Sequence, residues 1–515
     1  MFTRRTLLKR GGCAALATAV PMLIRTARAQ ITSYNFYISP TGSDSNPGTL
    51  ASPWSINAIN SKQSTYAGKS VGVLPGTYNV YTLCQALTST GSSEANALSV
   101  NGGTAGSPTL IQSTVARQAI LTGLSPSGGY PTVECGIIGQ GAGNPPPNLG
   151  NVIIDGFYVT KGFQRGISFY LTGESNESGG VTGIEIRNCE IFDIGGNEVD
   201  NVAGIFFQSA QGAWVHNNKI HSVQVTSSSG TENVAGIFSY YSHSNIYEYN
   251  TIYDCNQAFR DKFYPNGNHT IRYNYIEVNG SYPVGALGDG NGGKPGDVYS
   301  VYNNVFNVMG AGGAVWFSNV WPGGNSSNTG FAFYNNTCVF PSGGNGAFFP
   351  AGGGNVSPNA LVRHYNNVYS YNGAPNYQGV VAIVSGNIAL SDYNLYGAGA
   401  GSGRYLTVAP YSSPGAPTAS YTLASWQSAL GVDSHSAAQN PAFTNPTSLN
   451  PPGFALAAGA AGSATGATPG RVGGVASGAL CDMGAWGGGS PPTQIGCNFS
   501  PAGSVPNPPV ILSVT

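Results

Sequence analysis

The most regular pattern in the chain is an asparagine-centred repeat. In each repeat a basic or aromatic residue is followed by one or two asparagines and then by a β-forming residue. The repeats, 24 to 32 residues apart, are Arg187–Ile191, His216–Ile220, Tyr249–Ile252, Tyr273–Ile276, Tyr302–Phe306, Tyr334–Cys338, Tyr365–Tyr369 and Tyr393–Tyr396. A period of this length indicates stacked units, and segments so short suit three strands per coil. We therefore predict an all-β solenoid, a parallel β-helix.

One asparagine of each repeat should stack on the next. We expect Asn218, Asn250, Asn274, Asn304, Asn336 and Asn367 to lie at one corner of successive coils. Asparagine tolerates the left-handed conformation that one turn per coil needs. Its side chains can also hydrogen-bond to each other along the stack. A β-propeller is the alternative, but its blades are longer and need four strands each.

The ends of the repeat region suggest separate segments. We predict a signal peptide over 1–29, an N-terminal cap and first coil over 30–80, and the β-helix over 81–420. A C-terminal cap is expected over 421–487 and a flexible tail over 488–515. Helices are predicted at Ser55–Tyr66 and Tyr421–Leu430, and Asp433 and His435 are interpreted as capping residues. Solenoid ends need such covers, since an open strand edge invites aggregation.

These features together resemble the right-handed parallel β-helix of the pectate-lyase-like superfamily over residues 34–420. The block from Asn35 through Pro53-Trp54 to Tyr78 is similar to the N-terminal part of exported β-helix proteins. The segments Asn440–Phe443 and Asp482–Trp486 resemble the C-terminal cap of the same proteins.

The N-terminus resembles a twin-arginine export signal. Arg4 and Arg5 precede a short apolar segment, and Ala27-Arg28-Ala29 forms a cleavage site. No apolar stretch is long enough to span a bilayer. We therefore expect export to the periplasm or the medium, with no membrane span.

The charge and the cysteine count limit the classes of partner and of covalent cross-link that we expect. Without the six basic residues of 1–29, 14 basic and 21 acidic residues remain, a net charge of −7 with histidine neutral. This excess of acidic residues argues against nucleic acid as a partner. We also expect the protein to be a monomer. Seven cysteines in the rest of the chain do not form an evident disulfide framework, although Cys481 and Cys497 are a candidate pair. No zinc-ligand spacing is present.

Three adjacent charged residues, Arg260-Asp261-Lys262, stand out in a chain that is only 8% charged. Alignment of five repeats places them on a strand whose outward side chains fall into two columns. The columns are Phe206, Phe238, Arg260, Leu287 and Trp316, and Gln208, Tyr240, Lys262, Asp289 and Ser318. Asp261 should then point inward or lie in a distorted strand. Cations among aromatic rings suit an acidic sugar chain.

Lys262 followed by Asn268–Asn274 resembles a motif of the chondroitinase-B and alginate lyase group, in which a lysine is the base. This resemblance implies β-elimination from a uronate-containing polysaccharide, with Arg272 among the substrate-binding residues. We expect Arg260 to neutralise the uronate carboxylate, Lys262 to remove the C5 proton and Tyr240 to protonate the leaving oxygen. The neighbouring guanidinium favours the neutral amine of Lys262.

The chain departs from that group at the second catalytic arginine, where it has Leu287–Gly290. Arg260 or Tyr240 must replace that arginine, or Asp289 must hold a cation. Two alternatives stay open for this segment: Ca²⁺ bound by Asp289 and Asp297, or a plain glycine-rich turn without a cofactor. Phe206, Phe238, Trp316 and Gln208 are the other predicted substrate contacts.

Two other functions stay open at this point. A glycoside hydrolase would need two carboxylates about 5–10 Å apart, for which Asp200 and Glu232 are the best pair. A glycan-binding or surface protein would use the same aromatic face without catalysis. We expect Lys161 and Arg165 to lie on a turn, and His216, His221 and His243 to be ladder or surface residues.

Overall fold

The computed structural model describes residues 33–460, 483–486 and 494–497, with gaps inside the first range. The gaps are 88–94, 133–134, 142–147, 171–179, 197–200, 226–232, 263–266, 279–285, 290–295, 310–312, 317–329, 341–344, 350–360, 372–380, 385–386, 398–405 and 410–418. The predicted signal peptide and Cys481 lie outside the described residues, so export and the Cys481–Cys497 pairing stay predictions.

Three sheets of twelve strands each account for most of the described chain. In spatial order, the first sheet contains β1 Phe36–Ile38, β2 Ser70–Val73, β5 Thr109–Ser113, β8 Val152–Asp155, β12 Ile184–Arg187, β16 Trp214–His216, β19 Ile246–Glu248, β22 Thr270–Arg272, β25 Val298–Tyr302, β28 Gly330–Tyr334, β31 Val362–Tyr365 and β34 Ile388–Asp392.

The second sheet contains β4 Ala95–Ser99, β7 Cys135–Gln140, β10 Arg165–Tyr170, β14 Val202–Gln208, β18 Val234–Tyr240, β21 Phe259–Lys262, β24 Ala286–Asp289, β27 Gly313–Trp316, β30 Asn345–Phe349, β33 Val381–Val384, β36 Leu406–Ala409 and β37 Ala419–Tyr421. Only β37 runs antiparallel to its neighbour within the described part of this sheet.

The third sheet contains β3 Gly76–Asn79, β6 Ala119–Thr122, β9 Tyr158–Thr160, β13 Glu190–Gly196, β17 Lys219–Val225, β20 Thr251–Cys255, β23 Tyr275–Val278, β26 Val305–Val308, β29 Thr337–Phe340, β32 Val368–Tyr371, β35 Leu395–Tyr396 and β38 Ala437–Ala438. A short two-stranded sheet joins β11 Val181–Thr182 to β15 Ala210–Gln211.

Successive coils contribute one strand to each large sheet, and the strands of neighbouring coils pair in parallel. The predicted parallel β-helix is therefore confirmed. Alternate side chains point into the solenoid, where they stack in columns of apolar residues. One such column contains Ile111, Ile154, Ile186, Val215, Tyr247 and Ile271, all at most 1% exposed. Each buried side chain of this size stabilises the fold by about 1.5–3 kcal/mol.

The asparagine stack is continuous from Asn218 to Asn394. Each backbone N–H donates to the side-chain oxygen of the next asparagine, from Asn218 to Asn250 at 3.0 Å and onward to Asn394. The predicted ladder is thus confirmed, but the predicted reason for asparagine is wrong in one respect. The left-handed residue is the one before each ladder asparagine, such as Asn217, Tyr273 or Asn303. The ladder asparagine is needed for its hydrogen bonds instead.

Helices are short and lie at the two ends. They are α1 Ala58–Ser61, α2 Gln63–Tyr66, α3 Tyr81–Ala86 and α4 Leu423–Leu430, with a 3₁₀ helix at Pro451–Phe454. The predicted first helix is therefore two helices. The last one has the expected signals, since the Thr422 side chain accepts a hydrogen bond from Ser425 N–H and Gly431 ends it in a left-handed conformation.

The C-terminal segments pack along the third sheet. Met483 contacts Val368 and Leu395, and Ala485 and Ile495 cluster with Tyr275 and Val305. These four residues of the sheet are apolar and buried, and contact with the C-terminal segments removes them from water. The segment Asp482–Trp486 was predicted to cap the solenoid end, but its described residues cover the side. Residues 494–497 of the predicted flexible tail are also packed there, with Cys497 N–H donating to Thr251 Oγ1 at 3.0 Å.

Candidate functional site

The candidate site lies on the outer face of the second sheet. Phe206, Phe238 and Arg260 occupy one outward column across β14, β18 and β21, as predicted. The neighbouring column contains Gln208, Tyr240, Lys262 and Asp289 and also agrees with the prediction.

Leu287 is the one described member that was placed wrongly. A register shift between Arg260 and Lys262 pairs Arg260 with Ala286, and Ala286 in turn pairs with Trp316. The extra residue in β24 is a bulge, which an ungapped alignment of repeats misses. The side chains of Asp289 and Trp316 lie outside the described residues, so their predicted roles stay predictions.

The strands of this site bend toward the outside. Val202 pairs with Val234 at one end of β14 and β18, and Gln208 pairs with Tyr240 at the other end. Nevertheless Tyr240 Oη donates a hydrogen bond to the Oδ1 atom of Asn201, the residue before β14. Straight strands would hold these positions about 20 Å apart, beyond the combined reach of both side chains. The outer face is therefore concave.

Glycine permits this bend. Ala203 and Phe206, three residues apart, both belong to the outer cluster, so the side-chain alternation is interrupted between them. A Cβ atom on the intervening Gly204 would lie 2.7 Å from Ile220 Cγ2 and 2.8 Å from the carbonyl oxygen of Gly236. Only a residue without a side chain allows this close approach to the adjoining sheet.

The aromatic rings in the concave face pack against each other. Phe206 and Phe238 are fully buried, and the centroid of Phe206 lies 5.7 Å from that of Phe238 and 5.4 Å from that of Tyr240. Sequence reasoning expected these rings to offer open faces to a sugar chain. That expectation is wrong for Phe206 and Phe238, because they form an apolar cluster with Ala203 and Ala235. Gln208 is likewise buried.

The two cations of β21 are also buried. Lys262 is 7% exposed and Arg260 is 9% exposed, so their outward positions do not expose them to solvent. Lys262 Nζ donates to Asn233 Oδ1 and lies 6.0 Å from the centroid of Tyr240. The concave face shields these side chains from water, which strengthens any charge interaction they make.

Arg165 is a third cation of this face that sequence reasoning missed. It was expected on a turn with Lys161, but it is the first residue of β10 and pairs with Ala203. Its guanidinium carbon lies 3.7 Å from the centroid of Phe206 and 5.4 Å from that of Tyr170. The signal available in the sequence was the run Arg165–Tyr170, which aligns with Ala203–Gln208 one coil later. Lys161 does lie outside the strands, where it pairs with Asp193.

Asp261 points into the solenoid, as one of its two predicted placements required. It is 3% exposed, and Ser239 Oγ donates a hydrogen bond to its Oδ1 atom. Burial raises the pKa of Asp261 to about 7, against the opposing effects of Ser239 and Arg260. Its Oδ2 atom lies 3.9 Å from Nε2 of His269. Burial lowers the pKa of His269 to about 3, so both groups are neutral in slightly acidic solution.

Arg272 is not part of this face. It ends β22 in the first sheet, where its Nε donates to Glu248 Oε2 at 2.6 Å and its Nη1 donates to Tyr302 Oη at 2.7 Å. The predicted substrate contact is therefore wrong for a site built around Lys262. Consecutive strands of one coil belong to different sheets, so proximity along the chain does not place Arg272 beside Lys262.

The predicted calcium site stays a prediction, because the side chain of Asp289 lies outside the described residues. Asp297 Oδ2 lies 2.9 Å from His243 Nε2 and is thus already paired. No group of three or more histidine, cysteine, aspartate or glutamate side chains that could hold a metal occurs among the described residues. The rival carboxylates Asp200 and Glu232 lie outside those residues. Within the same part of the chain, no helix is long and apolar enough to cross a membrane.

The chain was compared with protein families and with other proteins. No family model matches it, and no curated protein matches it. Among solved structures it is similar to pectate lyase Pel9A, with 16% identity, 87% of this chain and 95% of that chain covered, and a TM-score of 0.51.

Two further structures have lower TM-scores. A rhamnogalacturonan lyase has 13% identity, covers 81% of this chain and 91% of its own, and has a TM-score of 0.33. An alginate lyase from Paenibacillus sp. has 16% identity, coverage of 63% and 96%, and a TM-score of 0.28. At these identities the likeness concerns the fold alone, and only the first score supports an argument. Together with the three parallel sheets, it shows that the chain has a right-handed parallel β-helix fold, similar to that of pectate lyase Pel9A.

Proposed function

We propose that this protein is a lyase that cleaves a uronate-containing polysaccharide by β-elimination at the concave face of the second sheet. The observation that carries the proposal is the register that sets Lys262 beside Tyr240 on the next strand, with Arg260 two residues before Lys262. The similarity to a pectate lyase fold and the resemblance around Lys262 support the same substrate class.

The charge of the face fits an acidic sugar chain. Arg165, Arg260 and Lys262 project from it, and no outward position of the described strands β10, β14, β18 and β21 carries an acid. A guanidinium binds a carboxylate through paired hydrogen bonds, and a surface that excludes water strengthens that attraction.

The residues have separate tasks in this proposal. Arg260 binds the uronate carboxylate and draws charge from C5, so that the C5 proton becomes acidic. The neutral amine of Lys262 takes that proton, the C4–O4 bond breaks, and a double bond forms between C4 and C5. Tyr240 gives its hydroxyl proton to the departing O4. Asn233 and Asn201, which accept hydrogen bonds from Lys262 and Tyr240, hold both side chains in the absence of substrate.

Calcium has no step in this mechanism. Because Asp297 is paired with His243, we assign neutralisation of the carboxylate to arginine. Chelator should therefore leave the rate unchanged, and a loss of activity that added Ca²⁺ restores would contradict this assignment.

The direct test is a screen of polyuronates and glycosaminoglycans for the ultraviolet absorbance of the unsaturated product. Lys262→Met should lower the rate by at least about 10²-fold, the lower range for losing an acid–base group. Lys262→Arg should not restore it, since guanidinium stays protonated. Because Lys262 is buried, thermal melting must first show that each variant is folded.

Lys219→Met is the matched control. Lys219 is on β17 of the third sheet and pairs with Glu190 at 2.9 Å, away from the proposed site. It should keep its activity. Full activity in folded Lys262→Met would overturn the assignment of the base. New reducing ends without the absorbance would indicate a hydrolase, and binding with neither signal would indicate a glycan-binding protein.

A further inference from the structure

A second group of catalytic residue types lies on the turn that follows β18. Ser244 Oγ is 2.8 Å from His243 Nδ1, and His243 Nε2 is 2.9 Å from Asp297 Oδ2. Asn268 Nδ2 donates to Ser244 Oγ at 3.0 Å. A hydroxyl, an imidazole and a carboxylate in hydrogen-bond sequence are the arrangement that activates a serine nucleophile.

We propose that Ser244, His243 and Asp297 form a serine esterase site for carboxylic esters with a small acyl group. This activity is separate from the proposed lyase reaction and does not depend on it. None of the three residues belongs to the concave face.

The coil register explains how Asp297 reaches His243. His243 bridges to Gly267 one coil later, and Thr270 pairs with Ser300 on the coil after that. Continued back along the chain, this register sets Asp297 beside Gly267. Gly267 stands between the two residues and has no side chain, so the imidazole and the carboxylate meet across it.

The hydrogen bonds set the direction of proton transfer. A carboxylate only accepts, so His243 Nε2 carries the hydrogen that faces Asp297. Nδ1 of the neutral ring is then the acceptor for the Ser244 hydroxyl proton. Triads on other folds use the two ring nitrogens in the opposite sense, but the chemistry needs only one acceptor and one oriented N–H. The side chains of His243 and Asp297 are 21% and 11% exposed, so both are partly accessible from solvent.

The reaction balances with water as the only co-reactant. Ser244 Oγ attacks the ester carbonyl carbon while His243 Nδ1 takes the hydroxyl proton. The C–O bond to the alcohol breaks, and His243 returns the proton to the leaving oxygen. Water then attacks the acyl-serine by the same route and releases the acid. Asn268, one coil away, donates to Ser244 Oγ at 3.0 Å and so helps to position the nucleophile.

A second serine in the chain provides a matched control. Ser222 also follows a histidine, has a left-handed backbone like Ser244, and lies 3.2 Å from His221 Nδ1. However, Ser222 Oγ donates its hydrogen to Asp254 Oδ2 at 2.8 Å. Its proton is therefore directed to a carboxylate and not to the imidazole. Ser222 has the same local geometry without the proton path.

The test uses the full chain with p-nitrophenyl acetate as substrate and a fluorophosphonate as a covalent probe. Wild-type protein should hydrolyse the ester, and the probe should label Ser244 in peptide mass spectrometry. Ser244→Gly suits the left-handed backbone at this position and should lower the rate by at least about 10²-fold, as should His243→Gln. Asp297→Asn should also reduce it, and Ser222→Ala should keep the wild-type rate.

Two results would overturn the proposal. One is a wild-type rate no higher than that of folded Ser244→Gly. The other is labelling of any residue except Ser244. Because Ser244→Gly and Ser244→Ala alter the backbone strain differently, agreement between the two excludes a folding effect as the cause of lost activity.

Discussion

Asp261 and His269 face each other inside the solenoid, with Oδ2 of the carboxyl group 3.9 Å from Nε2 of the imidazole. Backbone N–H of Asn245 donates to His269 Nδ1, so the neutral ring carries its hydrogen on Nε2, toward Asp261. Tyr247 and Tyr299 line the same buried region. Asp261 and His269 are both buried beneath the outer face that carries Arg260 and Lys262. Burial thus favours the neutral form of each.

These two groups should contribute to stability with opposite dependence on pH. The pKa of Asp261 is about 7 in the folded protein and 3.8 ordinarily. Between these values the folded state binds the extra proton, so the free energy of unfolding falls as pH rises. The pKa of His269 is about 3 in the folded protein and 6.5 ordinarily. There the unfolded state binds the extra proton, so the free energy of unfolding rises with pH.

Single substitutions should separate the two effects. Asp261→Asn leaves the histidine, so the free energy of unfolding of this variant should rise with pH between about pH 3 and 6.5. His269→Asn leaves the aspartate, and its stability should fall between about pH 4 and 7. Denaturant unfolding at several pH values measures both slopes. His435→Asn, at a side chain that is 59% exposed, is the control and should follow the wild-type profile.

The asparagine ladder should be most sensitive in its middle. Asn304 is fully buried; its Oδ1 accepts from Asn274, and its Nδ2 donates to Ile271 O, Tyr302 O and Asn336 Oδ1. Asn304→Ala leaves several of these groups without partners and should cost about 3 kcal/mol or more. Cys189→Ala, at the N-terminal end of the same column, should cost about 1 kcal/mol. Equal losses would show that the ladder bonds are not what stabilises this corner.

Asp433 should be essential for docking α4 against the last coils. The buried carboxylate accepts from Trp426 Nε1 at 2.9 Å and from Ser391 Oγ at 2.6 Å, both at Oδ2. In Asp433→Asn an amide N–H can replace the accepting oxygen and face these donors, so the substitution should lower the melting temperature. In a Trp426→Phe background the same substitution should cost less, because one opposing N–H is gone. Additive effects in this double-mutant cycle would contradict the assigned contact.

Arg165 should act in binding more than in catalysis if the proposed lyase function is correct. Arg165→Met keeps apolar contact with Phe206 but removes the charge. It should raise KM for the polyuronate about tenfold, the loss of one charge-assisted hydrogen bond, and leave kcat nearly unchanged. Lys161→Met, which breaks a pair with Asp193 at 2.7 Å, is the control. A fall in kcat alone would place Arg165 in the chemical step instead.

The solenoid could be predicted from the sequence, because its period is a local property that each coil repeats. The spacing of Asn218, Asn250 and Asn274 predicted the ladder, since identical residues must coincide when coils stack. The alternation along Gly204–Gln208 and Gly236–Tyr240 likewise predicted that Tyr240 and Lys262 share an outward column. The alignment of repeats did not predict the bulge in β24, which places Ala286 and not Leu287 beside Arg260.

Tertiary structure decided what surrounds each of those side chains. Three features depend on residues that are distant in the chain: the burial of Lys262, the contact of Arg165 with Phe206, and the position of Arg272 in another sheet. Two hydrogen bonds likewise join residues of different coils. One links Tyr240 to Asn201, and the other links His243 to Asp297 across Gly267. A repeat period states which residues are in register. How strands curve and what covers them depends on packing across the whole solenoid, which no single repeat contains.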